Sequence, residues 1–69
     1  MIKLYNKSKD KQFIIEEDDP EVGFYLYVYE NEKCIADYLQ DDLEAIIQQA
    51  YQDFKLDPQS WKNKETQKH

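Results

Sequence analysis

Residues 23–54, GFYLYVYENEKCIADYLQDDLEAIIQQAYQDF, decide the fold because they hold two patterns of different period in one continuous stretch. The first part alternates apolar and tyrosine side chains, which is typical of a strand with two distinct faces. The second part repeats apolar residues at three- and four-residue spacing, which predicts an amphipathic helix. We therefore expect a β-hairpin that continues into one helix.

The strand predicted for residues 23–30 is rich in aromatic and β-branched residues, which suit a pleated surface. Its even-numbered positions form an apolar face, Phe24, Leu26 and Val28, and its odd-numbered positions form a tyrosine face, Tyr25, Tyr27 and Tyr29. The apolar face is the better core surface. The tyrosine face is therefore expected to be the more exposed side of the sheet.

The return strand is predicted over residues 33–39, after a two-residue Asn-Glu turn. In the predicted register, Ile35 joins the apolar face and Tyr38 joins the tyrosine face. Asp37 then interrupts the apolar face opposite Leu26, where we interpret it as a structural residue at the sheet edge. A turn one residue longer would invert the return strand, so the alternative register stays open.

The helix is predicted over about residues 41–55. Its apolar stripe consists of Leu43, Ile46, Ile47, Ala50, Tyr51 and Phe54. Asp41 is the predicted N-cap, with Glu44 three residues later completing a capping box. Pro58 disfavours helical geometry at Asp57, so the helix is expected to end before that residue.

The remaining segments supply short strands and loops. Residues 1–5 and 12–16 are predicted strands, separated by a lysine-rich loop over residues 6–11. Trp61 is expected to pack at the edge of the core. The sequence thus predicts an α+β domain, a small antiparallel sheet of three or four strands with one helix on one face. Residues 1–62 are predicted to be one compact domain and residues 63–69 a frayed polar tail.

Composition limits the function. The chain has 69 residues, a net charge of −6 and no arginine, so an acidic body would repel nucleic acid rather than bind it. Its one cysteine permits no internal disulfide and fits a reducing compartment. We see neither a signal peptide nor a membrane-spanning run. These features predict a cytoplasmic protein without nucleic-acid or membrane partners.

The sequence offers no catalytic constellation. Cys34 is predicted to be a semi-buried strand residue, and the one histidine, His69, stands at the end of the chain. One cysteine and one histidine make no zinc cluster, and one glycine makes no phosphate loop. The acidic segment over residues 16–21 lacks the ligand spacing and the glycine of a calcium loop. We therefore predict no enzyme activity, no metal and no cofactor.

Two groups of residues are the candidate binding site. The first is the tyrosine face, where large side chains with polar tips favour protein contacts: Tyr25, Tyr27, Tyr29 and Tyr38. The second is the acidic loop, which suits a basic partner: Glu17, Asp18 and Asp19. Cross-strand tyrosine pairs that only stabilise the sheet are the alternative interpretation.

Three segments carry a resemblance to a known group of proteins. They are GFYLYVY at residues 23–29 with Cys34, DYLQD at residues 37–41, and DPQSW at residues 57–61. Together they resemble a family of small uncharacterised bacterial proteins, over roughly residues 19–62. Lys55 stands where that family is expected to have a glycine after the helix. The resemblance implies a compact bacterial domain and no specific activity.

The leading hypothesis is a small protein-interaction module that presents an acidic, tyrosine-rich sheet face to a basic protein. An immunity or inhibitor protein that neutralises a basic toxin or nuclease is one form of it. The alternative is a homodimeric structural or scaffolding domain whose tyrosine faces pack together, although two acidic bodies repel each other. A small enzyme or ligand carrier ranks last, because so short a chain has few residues for a pocket.

Overall fold

The computed structural model describes residues 2–19 and 22–63, which form an antiparallel sheet with one helix on one of its faces. The elements in chain order are β1 (Lys3–Ser8), β2 (Lys11–Glu17), β3 (Phe24–Glu30), β4 (Lys33–Gln40), α1 (Leu43–Phe54) and β5 (Lys62–Asn63). The order across the sheet is β4-β3-β2-β1-β5. The α+β class is confirmed, but these residues form five strands rather than three or four.

The first hairpin extends further than its sequence predicts. β1 and β2 pair from Lys3 and Glu16 to Ser8 and Lys11, so most of the predicted lysine-rich loop belongs to the strands. A two-residue turn joins them, with Lys9 in a left-handed conformation at φ 56°. Strands pair through their backbone N–H and C=O groups. Residues with polar side chains can therefore extend a strand wherever a neighbouring strand supplies backbone hydrogen-bond partners.

The core lies between α1 and the sheet. Its buried members are Phe13, Ile15, Leu26, Val28, Ile46, Ala50 and Leu56. Half-buried side chains close its rim: Leu4, Phe24, Ala36, Tyr38, Leu43, Ile47, Phe54 and Trp61. The helix packs against β3 and β4. The predicted roles of Leu26 and Val28 in the core and of Trp61 at its edge are confirmed.

A β-bulge in β4 makes the predicted register wrong. Tyr29 pairs with Cys34 as expected, but Val28 pairs with Ala36, which leaves Ile35 as an extra residue between the two pairs. One extra residue turns the rest of the strand over, because successive side chains point to opposite faces. The inversion comes from this bulge and not from a longer turn.

The bulge exchanges the faces of the side chains that follow it in β4, so that Ala36 also packs on the core side. Tyr38 points towards α1, where its ring lies 6.2 Å from that of Phe54 in an edge-on arrangement. Asp37 and Leu39 point to the opposite side, where they pair with Tyr27 and Tyr25. Ile35 is 49% exposed and is not a core residue.

The helix lies within the predicted range but begins one residue later. Asp42, rather than Asp41, is the N-cap, and its Oδ1 accepts a hydrogen bond of 2.8 Å from the backbone N–H of Ala45. At the other end Lys55 adopts a left-handed conformation at φ 62°, and its N–H donates to the carbonyl of Tyr51 at 2.9 Å. A lysine therefore occupies the position that glycine most often takes.

The chain returns to the far edge of the sheet after the helix. Leu56 is buried in the core, and the side-chain amide of Asn6 donates to Ser60 Oγ at 2.7 Å, so this segment crosses the helix side of the sheet. It ends in β5, where Asn63 pairs with Leu4. Asn63, predicted to begin the frayed tail, lies in a strand, and the rest of that predicted tail lies outside the described residues.

Candidate interaction surface

The side of the sheet that faces away from α1 is called the open face here. Strand alternation and pairing place the following side chains on it: Lys3, Tyr5 and Lys7 of β1; Gln12, Ile14 and Glu16 of β2; Tyr25, Tyr27 and Tyr29 of β3; Cys34, Asp37 and Leu39 of β4; and Lys62 of β5. Within the described residues the one helix packs on the other side, so this face has no second layer.

Three tyrosines run along the middle of the open face. Tyr25, Tyr27 and Tyr29 are successive outward residues of β3, and we call them the tyrosine stripe. The rings of Tyr25 and Tyr27 stack, with centroids 5.6 Å apart and planes 15° from parallel. All three are half-buried, although no layer formed by residues 2–19 or 22–63 covers them. They therefore form a packed aromatic surface rather than three separate side chains.

One row of residues crosses all five strands. The registers place Lys62, Tyr5, Ile14, Tyr27 and Asp37 side by side, and we call this set the central row. A cation stands at one end and a carboxylate at the other. Two aromatic rings and one aliphatic side chain lie between them. The central row is thus apolar in the middle and oppositely charged at its two ends.

The charge of the open face is divided rather than uniformly acidic. Lys3, Lys7 and Lys62 lie on the two strands at one side, whereas Glu16 and Asp37 lie on β2 and β4. Lys3 Nζ and Glu16 Oε2 are 3.8 Å apart and both side chains are nearly half exposed, so this ion pair adds little stability.

Tyr27, at the centre of the stripe, is partly desolvated and lies near several acidic groups. Its pKa is raised above the ordinary tyrosine value, first by desolvation and then by the nearby charge of Glu16. Tyr25, Asp18 and Asp37 add smaller contributions in the same direction. A negative environment disfavours the phenolate, and by the same electrostatics it favours a nearby cation.

Two open depressions lie on the lysine side of this face. The larger, about 600 Å³, is lined by Tyr5, Asn6, Lys7, Gln12, Phe13, Ile14, Ser60 and Lys62. The smaller, about 280 Å³, lies towards the hairpin turns and shares Lys7 and Gln12 with the first. Both are open to solvent, so they suit the side chains of a partner better than an enclosed small molecule.

Four aspartates gather at one end of the sheet. Asp18 and Asp19 follow β2, and Asp41 and Asp42 follow β4. Gly23 lies between the two pairs, so close that a Cβ atom there would collide with the carbonyl oxygen of Gln40 and approach Asp41 Cα to 3.2 Å. We call this region the acidic end.

The structure separates the residues that the sequence grouped as a site. Tyr25, Tyr27 and Tyr29 lie together on the open face, but Tyr38 packs against the core on the helix side. Asp18 lies in the loop close enough to act on Tyr27.

The other two acids of the predicted site lie further from the stripe. Glu17 ends β2 on the helix side, and its Oε1 accepts a hydrogen bond of 2.8 Å from the backbone N–H of Ile2. Asp19 is exposed in the loop, and its carbonyl oxygen accepts the backbone N–H groups of Val22 and Gly23 at 2.8 and 3.2 Å. Glu17 and Asp19 therefore help to shape the acidic end.

Sequence reasoning missed most members of the open face outside β3, among them Tyr5, Ile14, Asp37 and Lys62. Tyr5 and Ile14 alternate with inward-facing neighbours, so their place could have been found once both first strands were paired. Asp37 required the bulge, and Lys62 required a two-residue strand that has no pattern of its own.

No family model, curated protein or solved structure matches this chain. The resemblance to a family of small bacterial proteins therefore stays a prediction. The open face is consequently interpreted from its own geometry and charge.

The part of the chain that the structure describes has neither a metal-binding cluster nor a membrane-spanning helix. There, no group of three or more His, Cys, Asp or Glu side chains is placed to hold a metal ion. None of the described helical residues form a helix long and apolar enough to cross a bilayer. Cys34, predicted to be semi-buried, is exposed, and its Sγ lies 3.5 Å from the carbonyl oxygen of Ala36.

Proposed function

We propose that this chain is a small protein-interaction module that binds a basic protein partner through the open face, with the tyrosine stripe at the centre of the contact. The observation that carries the proposal is the packed stripe itself, which has no second layer among the described residues. Leu39, beside Tyr25, is 48% exposed and adds apolar area to the same surface.

The stripe has the properties of an interaction hot spot. Tyrosine offers a large apolar ring with a hydroxyl group at its tip, and it has few rotatable bonds to immobilise on binding. Stacking between Tyr25 and Tyr27 holds two of the rings in place before any partner arrives. A preorganised surface loses less entropy on binding, which supports a protein-binding role for this face.

The charge on the β2–β4 side of the open face supports a basic partner. Glu16 and Asp37 flank the stripe, the acidic end adjoins it, and the whole chain has a net charge of −6. Such a charge would accelerate the approach of a cationic protein and hold its lysine or arginine side chains beside the rings. An inhibitor or immunity protein acting on a basic toxin or nuclease in the cytoplasm is the specific form that we favour.

Site-specific photocrosslinking tests the surface directly. A p-benzoylphenylalanine residue at Tyr27 is placed on the stripe, and the same residue at Tyr51 is the matched control, because Tyr51 is a 47% exposed tyrosine on the helix. After irradiation in native host cells, we expect one basic protein to be attached at position 27 and none at position 51. Adducts of equal yield at both positions would contradict the proposal.

Substitution then tests the energy of the contact. Tyr27→Ala should weaken binding of the crosslinked partner at least tenfold, while Tyr51→Ala leaves it unchanged, with far-UV circular dichroism confirming that both variants fold. Binding should also weaken as salt rises from 50 to 500 mM, because screening acts on the charged contacts. Full affinity in a folded Tyr27→Ala variant would exclude the stripe as the binding site.

A further inference from the structure

The open face is complementary to itself, and we propose that it binds a second copy of this chain in a two-fold, face-to-face dimer. The central row is charged with opposite sign at its two ends. A surface of this kind matches its own copy when one copy is turned around. The dimer is independent of the proposed basic partner.

The two-fold axis runs parallel to β2 and passes over Ile14. This rotation places β1 of one copy over β3 of the other, and β5 over β4, following the observed strand order. Ile14 then meets its own counterpart, Tyr5 meets Tyr27, and Lys62 meets Asp37. The apolar middle of the row is buried, and each charged end receives the opposite charge.

The neighbouring rows fit the same arrangement. Lys3 and Lys7 of β1 come to lie over Tyr25 and Tyr29 of the second copy, positions where an ammonium group is attracted to an aromatic face. Glu16 lies on the axis and meets its counterpart. Lys3 is 3.8 Å from Glu16 in each copy, so two lysines accompany the two carboxylates.

Sheet geometry permits these contacts. Stacked sheets lie about 10 Å apart, and aligned sheets rotate by about 30° relative to each other. That rotation shifts the ends of the central row by roughly 5 Å, a distance that the long side chain of Lys62 spans.

The size of the face sets the strength of the dimer. Thirteen outward side chains of the described residues, each on about 4.8 by 6.8 Å of sheet, give roughly 420 Å² for each copy, or about 850 Å² for both copies. An area of this size is typical of weak, transient interfaces, so we expect a reversible dimer with a dissociation constant of about 10–100 μM.

The edge of the sheet is a weaker candidate for self-association. In the described residues no strand pairs with the outer side of β4, but this strand carries the bulge at Ile35, a feature that protects edges from pairing.

The charge distribution of the open face also reduces the electrostatic repulsion that is expected between two acidic chains. Counted over the residues that the structure describes, the face carries three lysines and two carboxylates, and the acidic end lies beyond its border.

The dimer has a consequence for binding, and this consequence rests on the proposed function. A second copy covers the tyrosine stripe, so a basic partner must compete with it. The two proposals can fail separately. The mass of the purified chain in solution tests the dimer without any partner. Crosslinking at Tyr27 distinguishes a second copy from a basic partner by the mass of the adduct.

Sedimentation of the purified chain between 5 and 500 μM tests the dimer. We expect the apparent mass to rise from 8.4 kDa towards twice that value as concentration increases. Asp37→Lys and Lys62→Asp should each raise the dissociation constant at least tenfold, because like charges then meet at the ends of the row. Asp53→Lys is the control, because it makes the same charge change on the exposed side of the helix, and it should leave the dissociation constant unchanged.

Charge exchange makes the test specific for this arrangement. An equimolar mixture of the Asp37→Lys and Lys62→Asp variants should recover the dimer, since each lysine then faces an aspartate, and the double variant should recover it alone. Circular dichroism verifies folding of each variant, and both changed residues are exposed. A chain that stays at 8.4 kDa at 500 μM, or a dimer indifferent to both reversals, would overturn the proposal.

Discussion

Tyr27 and Asp37 are directly paired across β3 and β4 on the open face, although regular alternation of the hairpin would pair Tyr27 with Ala36. The bulged residue Ile35 makes the difference. It places a carboxylate beside the tyrosine stripe and places Tyr38, predicted on the same face as the stripe, against the core. The composition of the candidate surface therefore depends on one extra residue.

Deletion of Ile35 should leave the fold intact. Its side chain is 49% exposed, and its removal brings Cys34 and Ala36 into regular pairing with the same partners as before. We expect the free energy of unfolding to change by less than about 1 kcal/mol, as for other exposed positions. Urea denaturation followed by circular dichroism measures this change.

Deletion of Ile14 is the control for that experiment. Ile14 lies in a regular strand between Phe13 and Ile15, both of which are buried. Removing it forces one of these two side chains out of the core, so this variant should not fold. Unfolding of the Ile35 deletion variant as well would show that the bulge is required for stability.

Tyr38→Ala should destabilise the domain more than Tyr29→Ala. Tyr38 packs against the core and contacts Phe54, whereas Tyr29 lies on the open face, which has no second layer in the described part. Tyr38→Ala should lower the free energy of unfolding by about 2–3 kcal/mol, because it truncates a large side chain at the rim of the core. Tyr29→Ala should lower it by about 1 kcal/mol. The two denaturation midpoints provide the comparison, and equal midpoints would contradict the observed faces.

Gly23→Ala should be strongly destabilising. Gly23 has φ 116°, and an added methyl group would collide with the backbone carbonyl of Gln40. Backbone strain alone costs about 1–3 kcal/mol, and displacement of β4 adds to it. A melting temperature within about 2 °C of the wild-type value corresponds to a change in the free energy of unfolding on the order of a few tenths of a kcal/mol. Such a result would show that the loop accommodates the methyl group.

Tyr27 should titrate at higher pH than an ordinary tyrosine. Its pKa is raised by desolvation first and then by Glu16, with Asp37 the last of the contributors. Glu16→Gln should therefore lower the pKa of Tyr27 more than Asp37→Asn does. Nuclear magnetic resonance of the labelled tyrosine ring measures both shifts, and the opposite order would be inconsistent with the charge distribution described above.

The same shift predicts how stability depends on pH. The pKa of Tyr27 is higher in the folded state than in the unfolded state, so the fold is more stable while the Tyr27 hydroxyl group is protonated. This contribution is complete below the unfolded pKa of about 10 and disappears as pH rises through the folded pKa. Tyr27→Phe should remove this part of the alkaline loss of stability, as measured by urea denaturation between pH 8 and 11.

The sequence predicted those elements whose patterns are local. The 3.6-residue period located α1 within its predicted range, and the alternation in β3 identified Leu26 and Val28 as core residues and Tyr25 and Tyr27 as outward residues. The N-cap was displaced by one residue because adjacent aspartates offer two candidate positions, and helix geometry selects between them.

Local patterns could not supply the register of β4 or the place of β5. A strand can satisfy its backbone in either register, and one slipped residue inverts every side chain after it. The choice depends on the summed packing of Ala36 and Tyr38 against the helix, which exists only once the helix has docked.

The sequence by itself determined one helix, the two-faced strand β3 and a chain with a net charge of −6. The tertiary structure alone decided that Lys62 and Asp37 stand at opposite ends of one row, although they are far apart in the sequence. The physical reason is that helix and strand periodicity act between neighbours along the chain. A functional surface, in contrast, depends on strand pairing, which only the folded sheet fixes.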